Sequence, residues 1–189
     1  MKSSTCVTVF LVVVFCLPEM RATTLPDSCG SDKVEFKVST KKHQSLPALT
    51  DPNKALVVLV EEEDKLQGEA CWGCNFTTRI GIDGAWAGAN KGSSYFAVTV
   101  APGVHHICVN WQSVIGMFRR QVGLTEFNAE PGQTYYFDTK IKESPGLVTG
   151  SGNDVMQDSQ WTLNLEKLNR DQGLYRVQTS ALAKSAEKR

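Results

Sequence analysis

The chain has 189 residues, 20 basic and 20 acidic side chains, and a formal net charge of zero at pH 7. This length is enough for one domain with a hydrophobic core. The neutral balance gives no electrostatic reason to expect a nucleic acid as a partner, and beyond the N-terminal segment no apolar run approaches transmembrane length.

The N-terminus has the pattern of a cleavable secretory signal. Lys2 precedes an apolar run, Val7–Leu17, that is too short to cross a bilayer as a helix, and the small residue Ala22 follows. We therefore expect a signal peptide over residues 1–22, cleaved near Ala22, and a soluble protein that is secreted or periplasmic. An uncleaved anchor is the alternative. Pro26-Asp27-Ser28 before Cys29 is a poor match to a lipoprotein acylation site.

From residue 34 onward the dominant hydrophobic period is two, which is typical of strands with one buried face. Ala55–Val60 is apolar on both faces and suits a central strand. The clearest predicted strands cover residues 34–39, 55–60, 76–83, 93–100, 133–141 and 160–165.

Turn signals separate these segments. Asp83-Gly84 predicts a type I′ hairpin, because both turn positions need a positive φ. Pro-Gly pairs at 102–103, 131–132 and 145–146 predict further turns. A hairpin at Pro102-Gly103 would place six residues on one face, pairing Val100 with His105, Val98 with Ile107 and Phe96 with Val109. In that register Val98, Ile107 and Val109 are core residues, and Cys108 points away from the core beside Ala97.

A helix is predicted only near the C-terminus. Asn169 and Gln172 form a capping-box pattern, and Leu174, Val177 and Ala181 recur at helical spacing, although Gly173 weakens the pattern. We expect an all-β fold, an antiparallel β-sandwich with a short C-terminal helix. The predicted organisation is a signal peptide (1–22), an N-terminal strand and linker (23–53), the sandwich domain (54–168) and a C-terminal helix or tail (169–189).

The expected mature chain contains Cys29, Cys71, Cys74 and Cys108. An even number of cysteines in an exported chain favours structural disulfides, and four cysteines allow three pairings. We expect Cys71 or Cys74 to be bridged to Cys108 or Cys29, with a Cys71–Cys74 bridge as the second choice. A redox role is disfavoured because no helix follows Cys74 to lower a thiol pKa.

No residue is predicted to be catalytic, to bind a cofactor or to hold a metal, and no cofactor is expected. A zinc set of Cys71, Cys74, His106 and Cys108 is the less favoured alternative, because it lacks a second closely spaced ligand pair and export favours oxidised thiols. His105 and His106 titrate near neutrality, as a catalytic base must. A strand histidine that forms a hydrogen bond across the sheet is the favoured interpretation.

Two further features concern partners. Val114, Ile115, Met117, Phe118, Arg119 and Arg120 show no clean period, which is typical of a strand edge or bulge. The alternative is a contact patch for an unknown partner or for the envelope, including peripheral contact with a membrane. Trp72, Trp86 and Trp111 would bind carbohydrate if their indoles were exposed.

The central part of the chain, roughly residues 54–168, resembles a bacterial family of exported and envelope-attached β-domains of unknown function that is similar to PEGA domains. The resemblance rests on Ile80–Gly84, Gly88, Ser94-Tyr95-Phe96 and Pro102-Gly103-Val104-His105, and on Gly132, Thr134, Tyr135 and Tyr136. It implies a prealbumin-like or immunoglobulin-like sandwich without enzymatic activity. Many members are lipoproteins, and this chain departs from them at Cys29.

The favoured hypothesis is an exported, non-catalytic β-domain that binds or acts as a scaffold, and the resemblance implies a location at the envelope. The alternatives are a secreted metal-dependent or thiol enzyme that uses the cluster of Cys71, Cys74, His106 and Cys108, and a carbohydrate-binding module.

Overall fold

The computed structural model describes residues 25–61, 77–112, 121–149 and 156–188, with the backbone alone described at 141–149 and 156–161. The described residues form ten strands and one helix. The strands are β1 (Phe36–Lys41), β2 (Ala55–Glu61), β3 (Thr77–Ile82), β4 (Ala85–Lys91), β5 (Ser94–Val100), β6 (Gly103–Gln112), β7 (Val122–Ala129), β8 (Thr134–Thr149), β9 (Met156–Leu168) and β10 (Ala181–Glu187), and helix α1 is Arg170–Thr179.

The strands form two sheets, which confirms the predicted all-β class with one short helix. The six-stranded sheet has the order β1-β10-β5-β2-β8-β9, and the four-stranded sheet has the order β4-β3-β6-β7. Most neighbours are antiparallel, but β10 runs parallel to β5 and β2 runs parallel to β8. Since β1 and β10 are neighbours in the larger sheet, residues before 54 and after 168 contribute strands to the sandwich.

The main core lies between the two sheets. Its residues come from alternate positions of the strands, as a period of two requires. They include Val57 and Leu59 of β2, Ile80 of β3, and Ile107, Val109 and Trp111 of β6, all with no measurable exposure. The predicted core positions Ile107 and Val109 are therefore confirmed, and Val98 packs partly buried against the same cluster.

A second apolar cluster covers the outer face of the six-stranded sheet. Leu56, Val58 and Val60 of β2 face this side, so the prediction of a central strand buried on both faces is confirmed. Helix α1 lies over the cluster through Val177. A Cβ built on Gly173 would lie 2.1 Å from Cγ of Tyr136. The glycine that weakened the helix prediction thus permits close contact between the helix and the sheet.

The helix begins as predicted. The Asn169 side chain accepts a hydrogen bond from the Gln172 N–H, and the Gln172 side chain accepts one from the Asn169 N–H, which completes a capping box. The helix ends at Thr179, however, and Ala181 begins β10 instead of continuing the helical pattern.

The Asp83-Gly84 hairpin is confirmed, because β3 and β4 are antiparallel and Asp83 and Gly84 both have a positive φ (52° and 86°).

The prediction of a turn at Pro145-Gly146 is wrong. Strand β8 continues through these residues to Thr149, with a register shift against β9 between Pro145 and Val148. An irregularity within a strand pair accommodates the proline, whose nitrogen cannot donate to the ladder.

The predicted pairing across Pro102-Gly103 is also wrong. Strand β5 pairs with β2 and β10, whereas β6 pairs with β3 and β7, so the chain crosses between the sheets at this turn. Because both strands turn their apolar residues toward the same core, the sequence pattern fits facing sheets as well as paired strands. Ala97 packs against the cluster under the helix, and Cys108 lies on the outer side of the other sheet, so the two are not neighbours.

Replacing Ile107 with alanine should lower the free energy of unfolding by about 2–5 kcal/mol, because the side chain is fully buried between the sheets. Val104→Ala on the same strand is the matched control. Val104 is 58% exposed, so its truncation should cost less than about 0.5 kcal/mol. Urea denaturation of both variants measures the difference, and equal losses would contradict this placement of β6.

Candidate functional site

His105 on β6 lies against the β3–β4 turn. Its Nδ1 is 2.6 Å from Oδ2 of Asp83, and its Nε2 is 2.7 Å from the carbonyl oxygen of Ala101. The other carboxylate oxygen of Asp83 accepts a hydrogen bond of 2.9 Å from the His106 N–H. This arrangement is the predicted strand histidine that forms a hydrogen bond across the sheet.

The two partners of His105 determine its protonation. Both partners are acceptors, whereas a neutral imidazole has only one N–H to donate. Both hydrogen bonds are therefore made at once only by the imidazolium. A general base needs a free nitrogen lone pair, and in this geometry His105 has none to offer.

The pKa values agree with this charge assignment. Burial by itself lowers the pKa of His105, but the hydrogen bonds to Asp83 and Ala101 and the charge of Asp83 outweigh it and raise the pKa above 6.5. For Asp83, burial by itself raises the pKa. The hydrogen bonds from the His106 N–H and the His105 ring, together with the histidine charges, lower that pKa below 3.8.

His106 points to the outer side of the four-stranded sheet. Its Nε2 is 3.0 Å from Oε2 of Glu126, and both side chains are more than half exposed. Such an exposed contact contributes little to stability.

The described cysteines form one disulfide, between Cys29 and Cys108. Cys108 lies on the outer face of the four-stranded sheet, as predicted, yet it is fully buried. The N-terminal segment, residues 26–34, covers it. A Cβ built on Gly81, the β3 residue paired with Cys108, would lie 3.3 Å from Cα of Cys29, so the glycine permits this close approach.

Arg79 also holds the N-terminal segment. Arg79 is 1% exposed, and its guanidinium donates to the Asp32 and Val34 carbonyls at 3.1 and 2.9 Å. On the other side it donates to Oδ1 of Asn110. Trp86 completes the contact, with Cζ of Arg79 4.6 Å from its ring centroid. A buried guanidinium requires such hydrogen-bond partners, because an unpaired buried charge is costly.

The disulfide corrects the predicted pairing. Cys29 and Cys108 were the expected partners for Cys71 or Cys74, but they bond to each other, and residues 26–34 lie over Cys108. Cys71 and Cys74 lie outside the described residues, which leaves their pairing with each other as the remaining prediction.

The zinc alternative loses one of its ligands. The sulfur of Cys108 is bonded in the disulfide, whereas a cysteine binds zinc only as a thiolate. His106 pairs with Glu126 instead. Within residues 25–61, 77–112, 121–149 and 156–188, no group of three or more His, Cys, Asp and Glu side chains is arranged to hold a metal ion.

Trp86 and Trp111 do not present free indole faces. Trp111 is fully buried in the main core. Trp86 contacts the Arg79 guanidinium, donates from Nε1 to the Ser31 carbonyl at 2.7 Å, and leaves no space for a Cβ at Gly30. Trp72 lies outside the described residues, as does the predicted contact patch at Val114–Arg120.

Over the described ranges, no helix has the length and hydrophobicity needed to span a bilayer.

Sequence reasoning missed a cleft at one end of the six-stranded sheet. Its volume is about 540 Å³, and it lies where the chain leaves β1, where β4 turns into β5, and where α1 ends. The residues that line it include Lys42, His43, Lys91, Ser93, Thr179 and Ser180. They are far apart in the chain and form no local motif, so only a cluster of basic residues at strand ends could have suggested them.

The chain was compared with protein-family models, curated proteins and solved structures, and nothing in any of the three matches it. The resemblance to PEGA-type domains stays a prediction.

The stability contribution of the His105–Asp83 pair should depend on pH in a defined window. Since the pKa of His105 is raised on folding, its contribution is complete below about pH 6.5 and disappears as the pH rises through the folded value. Since the pKa of Asp83 is lowered, its contribution is present above about pH 3.8 and disappears as the pH falls through the folded value. The loss on the alkaline side should be under about 1 kcal/mol, because the Asp83 side chain is 44% exposed.

Urea denaturation between pH 5 and 9 tests this expectation by comparing the parent protein with His105→Gln, which should lack the alkaline loss. His106→Gln is the matched control and should retain it. A ring titration of His105 by NMR at or below pH 6.5 would contradict the assignment.

Removing the disulfide by Cys29→Ala with Cys108→Ala should lower the free energy of unfolding by about 2–5 kcal/mol. The bridge joins residues 79 positions apart, and the chain-entropy estimate for such a loop is about 4–5 kcal/mol. Cys71→Ala with Cys74→Ala is the control. A bridge between these near neighbours would close a small loop, for which the chain-entropy estimate is about 2 kcal/mol or less, so its loss should cost less than the loss of Cys29–Cys108. A larger loss from the control pair than from Cys29 and Cys108 would contradict the assignment.

Proposed function

We propose that this protein is an exported, non-catalytic β-sandwich domain that binds a ligand or a partner, or acts as a scaffold, outside the cytoplasm. The observation that carries the proposal is the buried Cys29–Cys108 disulfide. Disulfides persist in oxidising compartments and are rare in reducing ones. Its position supports a structural role, because it attaches the N-terminal segment to the outer face of the four-stranded sheet.

The location that fits this proposal is the extracellular space or the periplasm. The signal-peptide pattern over residues 1–22, which lies outside the described residues, supports the same conclusion. Cleavage near Ala22 would leave Cys29 a few residues from the new N-terminus and available for the bridge to Cys108.

The non-catalytic part of the proposal draws on the residues that resembled an active site. His105 has an aspartate partner, but its second nitrogen donates to a backbone carbonyl and does not face a nucleophile. The competing proposal of a thiol or metal enzyme needs Cys108 as a free thiolate, and Cys108 is oxidised. The carbohydrate-binding proposal through exposed indoles now depends on Trp72, because Trp86 and Trp111 are occupied.

The finer fold assignment is also a proposal. Two facing sheets with a core between them support an immunoglobulin-like or prealbumin-like sandwich. The two parallel strand pairs are a departure from a purely antiparallel arrangement. Contact with the envelope through Val114–Arg120 and kinship with PEGA-type domains belong to the same proposal.

Intact mass and a non-reducing peptide map of the protein secreted by an expression host test this function. We expect a mature chain that starts near Thr23, carries no lipid, and contains a peptide with Cys29 crosslinked to a peptide with Cys108. Diacylglycerol on Cys29, or free thiols at Cys29 and Cys108 in the native protein, would overturn the proposal. A deletion of residues 2–17 serves as the control and should retain the protein in the cytoplasm with reduced cysteines.

A further inference from the structure

The cleft at the end of the six-stranded sheet has the size of a small-ligand site. Its volume of about 540 Å³ falls within the range of roughly 300–1,000 Å³ that is typical of ligand pockets. Three parts of the chain that are distant in sequence form its walls: the residues after β1, the β4–β5 turn, and the C-terminal end of α1 with the start of β10.

The charged side chains of the lining, Lys42 and Lys91, are both basic. Lys42 and His43 come from the first wall and Lys91 from the second, and no Asp or Glu is among the residues that line the cleft. None of these three basic side chains forms an ion pair with any residue that the structure describes. In a concave site such charges reinforce one another and attract an anion.

The backbone that carries these side chains is held in place. The Lys91 N–H donates to Oγ of Ser94 at 3.2 Å, and the turn passes through Gly92 with a φ of 62°. On the third wall the Ala181 N–H donates to the Ser93 carbonyl at 3.1 Å, which joins the start of β10 to β5. The basic side chains therefore extend from a framework that exists before any ligand binds.

His43 has the unusual backbone conformation of the cleft. Its φ is 56°, in the left-handed region that residues with a Cβ rarely adopt. The conformation directs the following chain across the sheet, where the Tyr95 hydroxyl donates to the Gln44 and Ser45 carbonyls at 3.1 Å. Strained residues often occur where a side chain must be presented in a fixed direction, and here the side chain is an imidazole beside two lysines.

The hydrogen-bonding groups of the lining are also suited to a polar ligand. Ser93 and Ser180 bring hydroxyls to the cleft, and Gln178 brings an amide that can donate and accept. At the helix end, Thr179 Oγ1 donates to the Tyr175 and Arg176 carbonyls, and the Ser180 N–H donates to the Val177 carbonyl. These bonds occupy the carbonyls of Arg176 and Val177, two of the four that have no intrahelical partner at the end of the helix.

We propose that this cleft binds a sugar-sized ligand that carries a sulfate or phosphate ester, with Lys42, Lys91 and His43 contacting the oxyanion and the hydroxyl and amide groups contacting the sugar. The inference rests on the binding role proposed above and names its ligand class. Lysine is a common partner of phosphate oxygens because its ammonium acts as a compact charge with three donors.

The test is a titration of the oxidised protein with glucose 6-phosphate, glucose 6-sulfate and glucose, followed by NMR chemical shifts or calorimetry. We expect the charged sugars to bind at the cleft and to weaken as salt is added, and glucose alone not to bind. Binding of one ester and not the other identifies which oxyanion the site takes. Failure of both charged sugars to shift cleft resonances at millimolar concentration would overturn the proposal.

Matched charge reversals locate the site. Lys42→Glu and Lys91→Glu should each weaken binding of the charged sugar by at least about tenfold, because each replaces an attractive contact by a repulsive one. Lys54→Glu makes the same charge change at the opposite end of β5, beside the residue that pairs with Val100, and should leave binding unchanged. Equal loss in all three variants would overturn the assignment of the cleft.

A failure of sugar binding at the cleft can be distinguished from a failure of the proposed function. The peptide map and the secretion assay report the disulfide and the export of the protein whether or not the sugars bind. Thermal unfolding of each variant shows that it is folded, and the salt dependence of binding by the unsubstituted protein tests the electrostatic contact without any substitution.

Discussion

The N-terminal segment has to lie over the four-stranded sheet, and the buried guanidinium of Arg79 is the physical reason. Arg79 is 1% exposed, and its guanidinium donates hydrogen bonds to the backbone carbonyls of Asp32 and Val34 among others. If the segment moved away, a charged group would lose partners within a site closed on its other side by Asn110 and Trp86. The Cys29–Cys108 disulfide adds a covalent limit to the same movement. Polar and covalent constraints therefore act on one segment.

The position of β1 in the six-stranded sheet follows from that attachment. Beyond Val34 the chain reaches Phe36, whose N–H and C=O are bonded to the side chain of Gln112 at 2.6 and 3.0 Å. Strand β1 then pairs with β10 along its whole length, and β10 begins beside β5. The cleft lies at the far end of these three strands. The position of Lys42 in the cleft thus depends on contacts made by Arg79 at the other end of β1.

The two sheets are also joined by polar contacts within and beside the apolar core. At one place Thr78 of β3 donates to Oε1 of Glu61 on β2 at 2.9 Å, and both residues are buried. At another, the His105 imidazolium joins the β3–β4 turn to Ala101, at the point where the chain crosses between sheets. Directional bonds of this kind fix the relative position of two sheets more sharply than apolar contacts do, because an unpaired buried group is costly.

The sequence by itself determined the local features of this protein. Alternation of apolar residues located the strands, Asp83-Gly84 located a hairpin, and Asn169 with Gln172 located the first turn of the helix. Each of these signals acts between residues that are close in the chain. Part of the candidate site followed in the same way, since the alternation of β6 placed His105 on the inward face and Cys108 on the outward face.

Only the tertiary structure decided which strands are neighbours and what lies over each face. Phe96, Val98 and Val100 point at the same core as Ile107 and Val109, yet they belong to the opposite sheet. An inward-facing pattern records burial and is identical for a paired strand and for a strand across the core. In the same way, the outward position of Cys108 did not reveal that Cys29 covers it, and Lys42 and Lys91 meet at the cleft only because β1 and the β4–β5 turn end at the same side of the sheet. The burial of one residue can be predicted from the sequence around it, whereas the identity of the neighbouring strands depends on how the whole chain folds.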